Sequence, residues 1–304
     1  MEGRAAAAGA GTILNALATG RGSAFAIDLD TRSTVRIDPD AETISGTIDG
    51  APEADTALIE ACVRAVLERF GGGEGASVRT ESDVPMAAGL KSSSAAANAT
   101  VLATCDALGV EVLDRTEHAT DRSIGDSRRI SRLDACRIGV EAAREAGVTV
   151  TGAFDDASAS MLGGVTVTDN SRDELLAHDS FDRDVLVWTP PERAFSADAD
   201  VDRCKRIETM AELVEELALD GRYPEAMTVN GLAFSAALEF STEPAVDAMA
   251  HADGVSLSGT GPSVVAIGDD TALDRVREEW AAYPGTMLRT TTRTDGGRIV
   301  DRGD

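Results

Sequence analysis

One stretch of the chain restricts its possible folds more than any other: residues 84–99, which read VPMAAGLKSSSAAANA. Pro85 ends the β-branched segment before it, because proline cannot donate to a strand ladder. Gly89 permits a tight turn that a side chain would obstruct, and the serines after it stand where an alanine-rich helix begins. The stretch therefore predicts a strand, a glycine turn and a closely packed helix in direct succession.

The start of this helix is a candidate phosphate site. The first N–H groups of a helix have no intrahelical partners and lie at the positive end of its dipole, so they attract anions. A lone serine would be explained as an N-cap, but Ser92, Ser93 and Ser94 follow the glycine-leucine turn together. Neither G-x-x-x-x-G-K-[ST] nor G-x-G-x-x-G occurs in the chain, which argues against a P-loop enzyme and a dinucleotide-binding fold.

The charge of the chain excludes several kinds of partner. Its 304 residues include 53 acidic and 28 basic side chains, a formal net charge of -25. The acidic residues are scattered, which indicates a solvated acidic shell. Such a surface repels nucleic acid and anionic membranes, so we expect neither as a partner. Lys91 and Lys205 are the only lysines, and arginine in place of lysine is typical of proteins from a high-salt cytoplasm.

Cysteine and histidine give no sign of a zinc cluster or of a serine–histidine triad, because the four cysteines and three histidines are isolated in the sequence. No apolar run approaches the ~18 residues of a membrane span. The alanine-rich start is weak for a signal peptide. We therefore expect a cytoplasmic protein.

Hydrophobic periodicity predicts helices and strands mixed along the whole chain. The regular strand–helix alternation of a doubly wound sheet is missing, so the α+β class is favoured. Among the predicted elements are a first strand over 11–18 and helices over 55–70, 93–108, 134–146 and 202–219. The glycine pair at 163 and 164 predicts a boundary between two domains, residues 1–164 and 165–304.

Three stretches, in the expected order, resemble the motifs of the GHMP kinase superfamily, which includes galactokinase, homoserine kinase and mevalonate kinase. In this chain, the family's ATP-binding signature is matched by PMAAGLKSSSAAANA and its first motif by LNALATGRGSAFAIDL. Its C-terminal glycine-rich motif is matched by SLSGTGPSVVAIG. The resemblance spans nearly the whole chain. It implies the two-domain GHMP kinase fold, with an ATP-binding N-terminal domain like domain 2 of ribosomal protein S5 and a ferredoxin-like C-terminal domain.

Within the superfamily, the archaeal shikimate kinases are most similar, through GLKSSSAAANA, NALATGRGSAFAIDL and TGAFDDASAS. This family is unrelated to the P-loop shikimate kinases of bacteria, in keeping with the missing P-loop. The resemblance implies ATP- and Mg²⁺-dependent phosphorylation of shikimate at its 3-hydroxyl, a step of aromatic amino acid biosynthesis. The alternatives are a homoserine kinase or another small-alcohol kinase of the superfamily, and a catalytically inactive relative that only binds nucleotide.

The resemblance also implies which residues bind the nucleotide and its metal ion. The phosphate-binding segment would comprise Pro85, Met86, Ala87, Ala88, Gly89, Leu90, Lys91, Ser92, Ser93, Ser94 and Ala95. The Ser93 hydroxyl is the implied Mg²⁺ contact. A carboxylate from the helix before TGAFDDASAS would be the second, and both Glu141 and Glu145 qualify, with Glu141 favoured because Glu145 lies in the last turn. Oxygen ligands of this kind suit a hard cation that keeps several waters.

Two adjacent aspartates supply the second chemical site. By resemblance, Asp155 faces the substrate hydroxyl and orients or deprotonates it, and we expect Asp155 or Asp156 to cap the following helix. Lys91 would neutralise charge that develops on the γ-phosphate, as a compact point charge.

The remaining candidates form the wall of the site. The glycine-rich motif contributes Ser258, Gly259, Thr260 and Gly261, and the first motif contributes Asn15 and Arg21. Shikimate carries a carboxylate, so an arginine clamp is expected. The sequence does not assign that arginine, nor does it give the oligomeric state.

Overall fold

The computed structural model describes residues 1–85, 88–114, 128–149, 152–192 and 199–301. Within these ranges the strands are β1 Glu2–Leu14, β2 Arg21–Asp38, β3 Ile44–Ile48, β4 Gly75–Ser82, β5 Glu111–Leu113, β6 Arg129–Ser131, β7 Val165–Asp169, β8 Glu174–Asp179, β9 Asp184–Thr189, β10 Gly254–Leu257, β11 Val264–Gly268, β12 Thr286–Thr291 and β13 Arg298–Ile299. The helices are α1 Ala57–Phe70, α2 Ser92–Leu108, α3 Arg132–Glu145, α4 Phe154–Leu162, α5 Val201–Lys205, α6 Glu208–Leu219, α7 Tyr223–Ala237, α8 Glu243–Met249 and α9 Asp270–Trp280. The mixture of sheets and helices confirms the α+β class.

The first sheet is built around β1 and β2. Its strand order is β13-β1-β2-β4-β3, and β7 pairs with another part of β2 and carries β8 on its outer side. The β3–β4 pair is parallel and the other pairs in this sheet are antiparallel. Helices α1 to α4 cover one face and share a core with it that includes Val35, Val101 and Phe154.

The alanine-rich start of the chain is a central strand rather than an unstructured lead. The expected first strand over 11–18 was wrong in both bounds, since β1 begins at Glu2 and ends at Leu14. Alanine disfavours strands in general, but here small side chains let α2 lie directly on the sheet. A Cβ on Gly3 would overlap the Ala103 carbonyl of α2. Packing therefore overrides local propensity.

The second sheet is antiparallel, in the order β10-β11-β9-β12. Helix α9 packs on it around Trp280, and α7 packs along β10. A shared apolar cluster joins the two sheets, with Phe25 from the first and Val265 from the second among its members. The predicted helix over 202–219 is instead two helices, because Asp200 caps a short α5 and the turn at Arg206 and Ile207 separates it from α6.

The two sheets do not follow the domain boundary predicted at the glycine pair 163 and 164. Strands β7 and β8 follow that pair but belong to the first sheet, and β13 returns to it near the end of the described residues. The domain boundary after residue 164 stays a prediction. Among the described residues, no helix combines the length and the apolar character needed to cross a membrane.

Candidate active site

The turn before α2 leads into a helix whose N-terminus is not capped by any described side chain. Helix α2 begins at Ser92, within the serine triplet where its start was predicted, and its N-cap is Lys91, whose φ of 64° is left-handed. Within the described residues no side chain caps this helix and its first turn has no acidic residue. Ser93 is exposed, while Ser92 and Ser94 are half-buried. Such an end suits a phosphate group, which is both anionic and a hydrogen-bond acceptor.

The glycine-rich loop between β10 and β11 forms the facing wall. The Ser258 hydroxyl donates to the Gly89 carbonyl at 2.9 Å. A Cβ on Gly89, where φ is 73°, would overlap the Ser258 carbonyl. A glycine at 89 is therefore required both for the turn and for the contact with this wall. Thr260 is half-buried and Gly261 is buried in the same loop, whereas Met86 and Ala87 of the predicted segment lie outside the described residues.

Asn15 connects this wall to the first motif. Its amide nitrogen donates to the Gly259 carbonyl at 2.7 Å, and its main-chain N–H donates to Oδ1 of Asn230 at 2.9 Å. The Gly259 N–H donates to the Thr12 hydroxyl at 2.8 Å. The sequence reasoning missed Asn230 and Thr12, because nothing near Asn230 resembles a motif and Thr12 precedes the first one.

The Lys91 side chain contacts the aspartate pair. Its Nζ lies 2.9 Å from Oδ1 of Asp156, and the two side chains are only 7% and 16% exposed. A Cβ on Gly259 would lie 2.8 Å from the same Nζ. The structure therefore brings together the lysine of the serine turn, one aspartate of the pair and the glycine-rich wall.

Asp155 is buried at the start of α4, with 5% of its surface exposed. The expectation that Asp155 or Asp156 caps this helix was wrong, since both lie inside its first turn and the N-cap is Ala153. A distant side chain does the capping instead. Oδ1 of Asn170 accepts from the Asp155 N–H at 3.1 Å, and the Asn170 amide donates to Oδ1 of Asp155 at 2.7 Å.

The surroundings of Asp155 favour its neutral form. Burial raises the pKa of Asp155 to about 7, and the neighbouring Asp156 carboxylate adds to this, while Lys91 and the Asn170 hydrogen bond act in the opposite direction. Desolvation disfavours the charged form of a carboxylic acid. A buried carboxyl group that titrates near neutral pH is a candidate acid or base.

Gly22 of β2 makes room for this carboxyl group. A Cβ at Gly22 would overlap the Asp155 carboxylate. The main chain of the first motif is therefore in direct contact with the side chain of Asp155. The sequence reasoning missed Gly22, although it lies within the quoted first motif and next to Arg21.

Arg21 is held by acidic groups of the protein itself. Its Nη1 lies 3.0 Å from Oδ2 of Asp169, and its Nε lies 3.6 Å from Oε1 of Glu215. The Arg21 side chain is 33% exposed, so part of the guanidinium still faces solvent. Its assignment to nucleotide or substrate stays a prediction.

The predicted metal ligands lie on two helices that pack together, Ser93 on α2 and both glutamates on α3. Glu141 is exposed on α3, with Arg144 of the same helix as a charged neighbour. Glu145 pairs with Arg64 of α1 at 3.6 Å. In the part of the chain that the structure describes, no three His, Cys, Asp or Glu side chains converge to hold a metal ion.

A cavity of about 540 Å³ lies elsewhere, where the two sheets meet. Phe181, Thr292 and Arg293 are among its lining residues, and none of the described site residues named above lines it. The residues that the sequence analysis singled out around Lys91 and Asp155 therefore lie apart from this cavity.

Comparison with known proteins gives two family matches. One family model, described as the GHMP kinases N terminal domain, matches residues 57–164, and another, described as GHMP kinases C terminal, matches residues 205–285. A shikimate kinase of Halobacterium salinarum is 59% identical over 300 residues, covering 99% of this chain and 100% of that relative. A shikimate kinase of Methanothrix thermoacetophila is 48% identical over 300 residues, covering 98% of this chain and 96% of the relative.

Solved structures share the fold at low sequence identity. A homoserine kinase from Cytophaga hutchinsonii has a TM-score of 0.70 and 16% identity, over 98% of this chain and 97% of that chain. An L. major mevalonate kinase in complex with R-mevalonate has a TM-score of 0.70 and 14% identity, over 97% of both chains. These structures support a common architecture and say nothing of the substrate.

Proposed function

Because the chain belongs to the GHMP kinase family, we propose that it transfers the γ-phosphoryl group of ATP to the 3-hydroxyl of shikimate. One observation carries the proposal: Lys91, the N-cap of the α2 helix, pairs with Asp156 at 2.9 Å beside the buried Asp155, so that the uncapped first turn of α2, an ammonium and a carboxyl group are neighbours. The relatives named shikimate kinase, which match over the full length, support the choice of acceptor.

The first turn of α2 would bind the phosphates of ATP. The main-chain amides from Gly89 to Ser94 supply donors at the positive end of the helix dipole. Phosphoryl transfer needs mainly positioning and charge stabilisation, and a rigid loop supplies the positioning. The contact between Ser258 and Gly89 holds that loop against the facing wall.

Lys91 would stabilise charge on the transferred group. It is paired with Asp156 and largely excluded from water, so its charge acts in a low-dielectric setting where it has a greater effect. The pair also keeps the ammonium from being buried alone.

Asp155 would accept the proton of the substrate hydroxyl. With its pKa raised to about 7 by burial, it is matched to proton transfer near neutral pH. Because Asp155 is both buried and held by Asn170, its carboxylate is fixed before the substrate arrives.

We also propose Mg²⁺ as the metal ion. When bound, it would supply Lewis-acid neutralisation of the phosphate oxygens. The donor set fits a metal that arrives with the nucleotide, since the exposed hydroxyl of Ser93 and the exposed carboxylate of Glu141 offer few protein ligands and leave room for phosphates and water. Glu145 is engaged by Arg64, which supports Glu141 as the carboxylate.

The proposal extends to organisation and setting. Residues 1–164 would form the ATP-binding domain and 165–304 the second domain, and the acidic composition supports a high-salt cytoplasm as the location.

A coupled assay of ADP release in high-salt buffer tests the function. Shikimate, homoserine and mevalonate are each supplied with ATP and Mg²⁺, and the product is identified by mass. We expect turnover with shikimate and a mass gain of one phosphoryl group. Turnover of homoserine alone would favour the alternative kinase, and no ADP release with any alcohol would refute kinase activity.

A further inference from the structure

Asn170 forms a closed pair of hydrogen bonds with Asp155. It follows β7 directly and is 2% exposed. Its amide donates to Oδ1 of Asp155 at 2.7 Å, and its carbonyl oxygen accepts from the Asp155 main-chain N–H at 3.1 Å. A single side chain thus contacts both the main chain and the carboxyl group of the same residue.

The orientation of the Asn170 amide follows from its partners. A main-chain N–H can only donate, so the Asn170 atom that it meets must be the oxygen. The ionised carboxylate can only accept, so the other atom must be the nitrogen. The Thr168 hydroxyl donates to the same oxygen at 2.8 Å, and a flipped amide would lose these bonds.

We propose that Asn170 is a positioning residue for Asp155, which holds Oδ1 and leaves Oδ2, beside Gly22, for the substrate hydroxyl. The inference rests on the proposed kinase reaction, but not on which alcohol is the acceptor. Asn170 itself touches no reacting atom in this scheme and acts only through Asp155.

The charged groups around Asp155 come from each element packed on α4. Asp156 of α4 and Lys91 before α2 act on it directly. From β2 and β7 come Arg21 and Asp169, which pair with each other at 3.0 Å. From α3 come Arg144, paired with Asp173 at 2.6 Å, and Arg137, which lies over the Phe154 ring. Residues 5–14 of β1 contain no charged residue.

The Asn170 amide is a neutral donor within this set, and its bond lowers the pKa of Asp155 against the effect of burial. When that donor is removed, less remains to counteract the rise in the Asp155 pKa that burial and Asp156 cause. The pKa of Asp155 then rises, and the fraction of enzyme with an ionised carboxylate at neutral pH falls.

Asn170→Asp distinguishes the effects of the two hydrogen bonds, because it keeps one and removes the other. The aspartate can still accept from the Asp155 N–H and so can cap α4, but when ionised it cannot donate to the carboxylate. Asn170→Ala loses both bonds. Asn98→Ala is the matched control, because Asn98 is buried and donates to the Ala157 carbonyl of the same helix at 2.8 Å rather than to Asp155.

The experiment measures kcat and KM against pH, and follows the Asp155 carboxyl carbon by NMR titration in the same full-length variants. For Asn170→Ala and Asn170→Asp we expect kcat at pH 7 to fall about 10- to 100-fold, with KM for ATP unchanged. The Asp155 pKa should rise by about 1 or more in both. Asn98→Ala should lose stability without moving that pKa.

Two results would overturn the inference. If Asn170→Asp regains the wild-type kcat and Asp155 pKa, Asn170 is only a helix cap. If Asn170→Ala matches Asn98→Ala in both readouts, the effect is general loss of packing. The titration needs no substrate, so an enzyme that fails to phosphorylate shikimate would refute the proposed function and leave this test intact.

Discussion

The Ser258 hydroxyl donates to the Gly89 carbonyl at 2.9 Å across 169 positions of the sequence. The turn before α2 and the glycine-rich loop between β10 and β11 are therefore in direct contact. Gly89 has no side chain to separate the two main chains, and a Cβ there would overlap the Ser258 carbonyl. Lys91 lies at this junction, next to Gly259.

Lys91→Arg should lower kcat about 100-fold. Both residues experience the same left-handed backbone at this position, where φ is 64°, so the comparison isolates the side chain. A planar guanidinium is broader than an ammonium, and Gly259 leaves Nζ little space. Lys205→Arg is the control, because that lysine is 61% exposed. Full activity of Lys91→Arg in steady-state kinetics would show that the reaction does not need the compact shape of the ammonium.

Gly22→Ala should impair catalysis and preserve the fold. The new methyl group would overlap the Asp155 carboxylate, and a displacement of about 1 Å at a reacting group can cost about 100-fold in rate. Gly139→Ala is the matched control, since its nearest neighbour would lie at an ordinary 3.4 Å. Kinetics and circular dichroism of both variants check this, and equal kcat values would contradict it.

Asp155→Asn should reduce kcat by about 100- to 10,000-fold, the usual contribution of a positioned acid or base. ATP affinity should change little, because the proposed mechanism has the phosphates bind at α2 and not at Asp155. The measurement is kcat together with ATP affinity by calorimetry. A nearly wild-type kcat would show that the substrate hydroxyl needs no base here.

The same substitution should change how stability depends on pH. An unfolded aspartate titrates near a pKa of about 3.9, whereas burial raises the native pKa of Asp155 to about 7. Between these values the native state holds a proton that the unfolded state has released, so stability falls as pH rises through this window. Asn cannot ionise. The free energy of unfolding is measured with urea for the wild type and for Asp155→Asn. The stability of the variant relative to wild type should be greater at pH 8 than at pH 4. The same difference at both pH values would contradict the raised pKa.

Asp30 is the centre of a buried charge cluster that ties β2 to the last described residues. Arg293 and Arg298 donate to its carboxylate at 2.7 and 2.6 Å, and the Asp30 and Arg293 side chains are each 9% exposed. Arg293→Leu removes one charged hydrogen-bond donor from a buried carboxylate that keeps Arg298, and it should cost about 1.5–3 kcal/mol in the free energy of unfolding. Arg32→Ala, which removes an exposed arginine 3.8 Å from the same carboxylate, should cost less than about 1 kcal/mol.

The pH dependence of this cluster has the opposite sign to that of Asp155. Burial acts to raise the pKa of Asp30, but the hydrogen bonds from Arg298 and Arg293 outweigh it and lower the pKa overall. The contribution of Asp30 is thus present above about pH 4, the unfolded value, and is lost as pH falls toward the native pKa. In acid, Arg293→Leu should lose its disadvantage relative to wild type.

The elements that the sequence predicted well depend on local signals. Pro85, Gly89 and the serine triplet lie within a few residues of one another, and together they indicate where α2 begins. The missed residues depend on distant partners. Asn170 contacts a residue 15 positions away and Asn230 one 215 positions away, and no periodicity or turn pattern at either position indicates such a bond.

The wrong predictions have a related cause. In the sequence, an aspartate near the start of a helix indicates an N-cap. The structure shows instead that Asn170, which follows β7, accepts the hydrogen bond from the Asp155 N–H. Likewise, alanine at the start of the chain disfavours a strand until α2 is packed on it. Tertiary contacts decided both cases.

Strand β13 pairs with β1 through Ala5 and Ile299, and this has a consequence for synthesis on the ribosome. The edge of β1 at Ala5 and Ala6 stays without this partner until β13 has been synthesised. An open edge can pair with another chain, and such exposed edges make incomplete chains prone to aggregate. Nascent chains that stall before β13 should therefore be substrates for chaperones, whereas longer chains cover this part of the edge with β13.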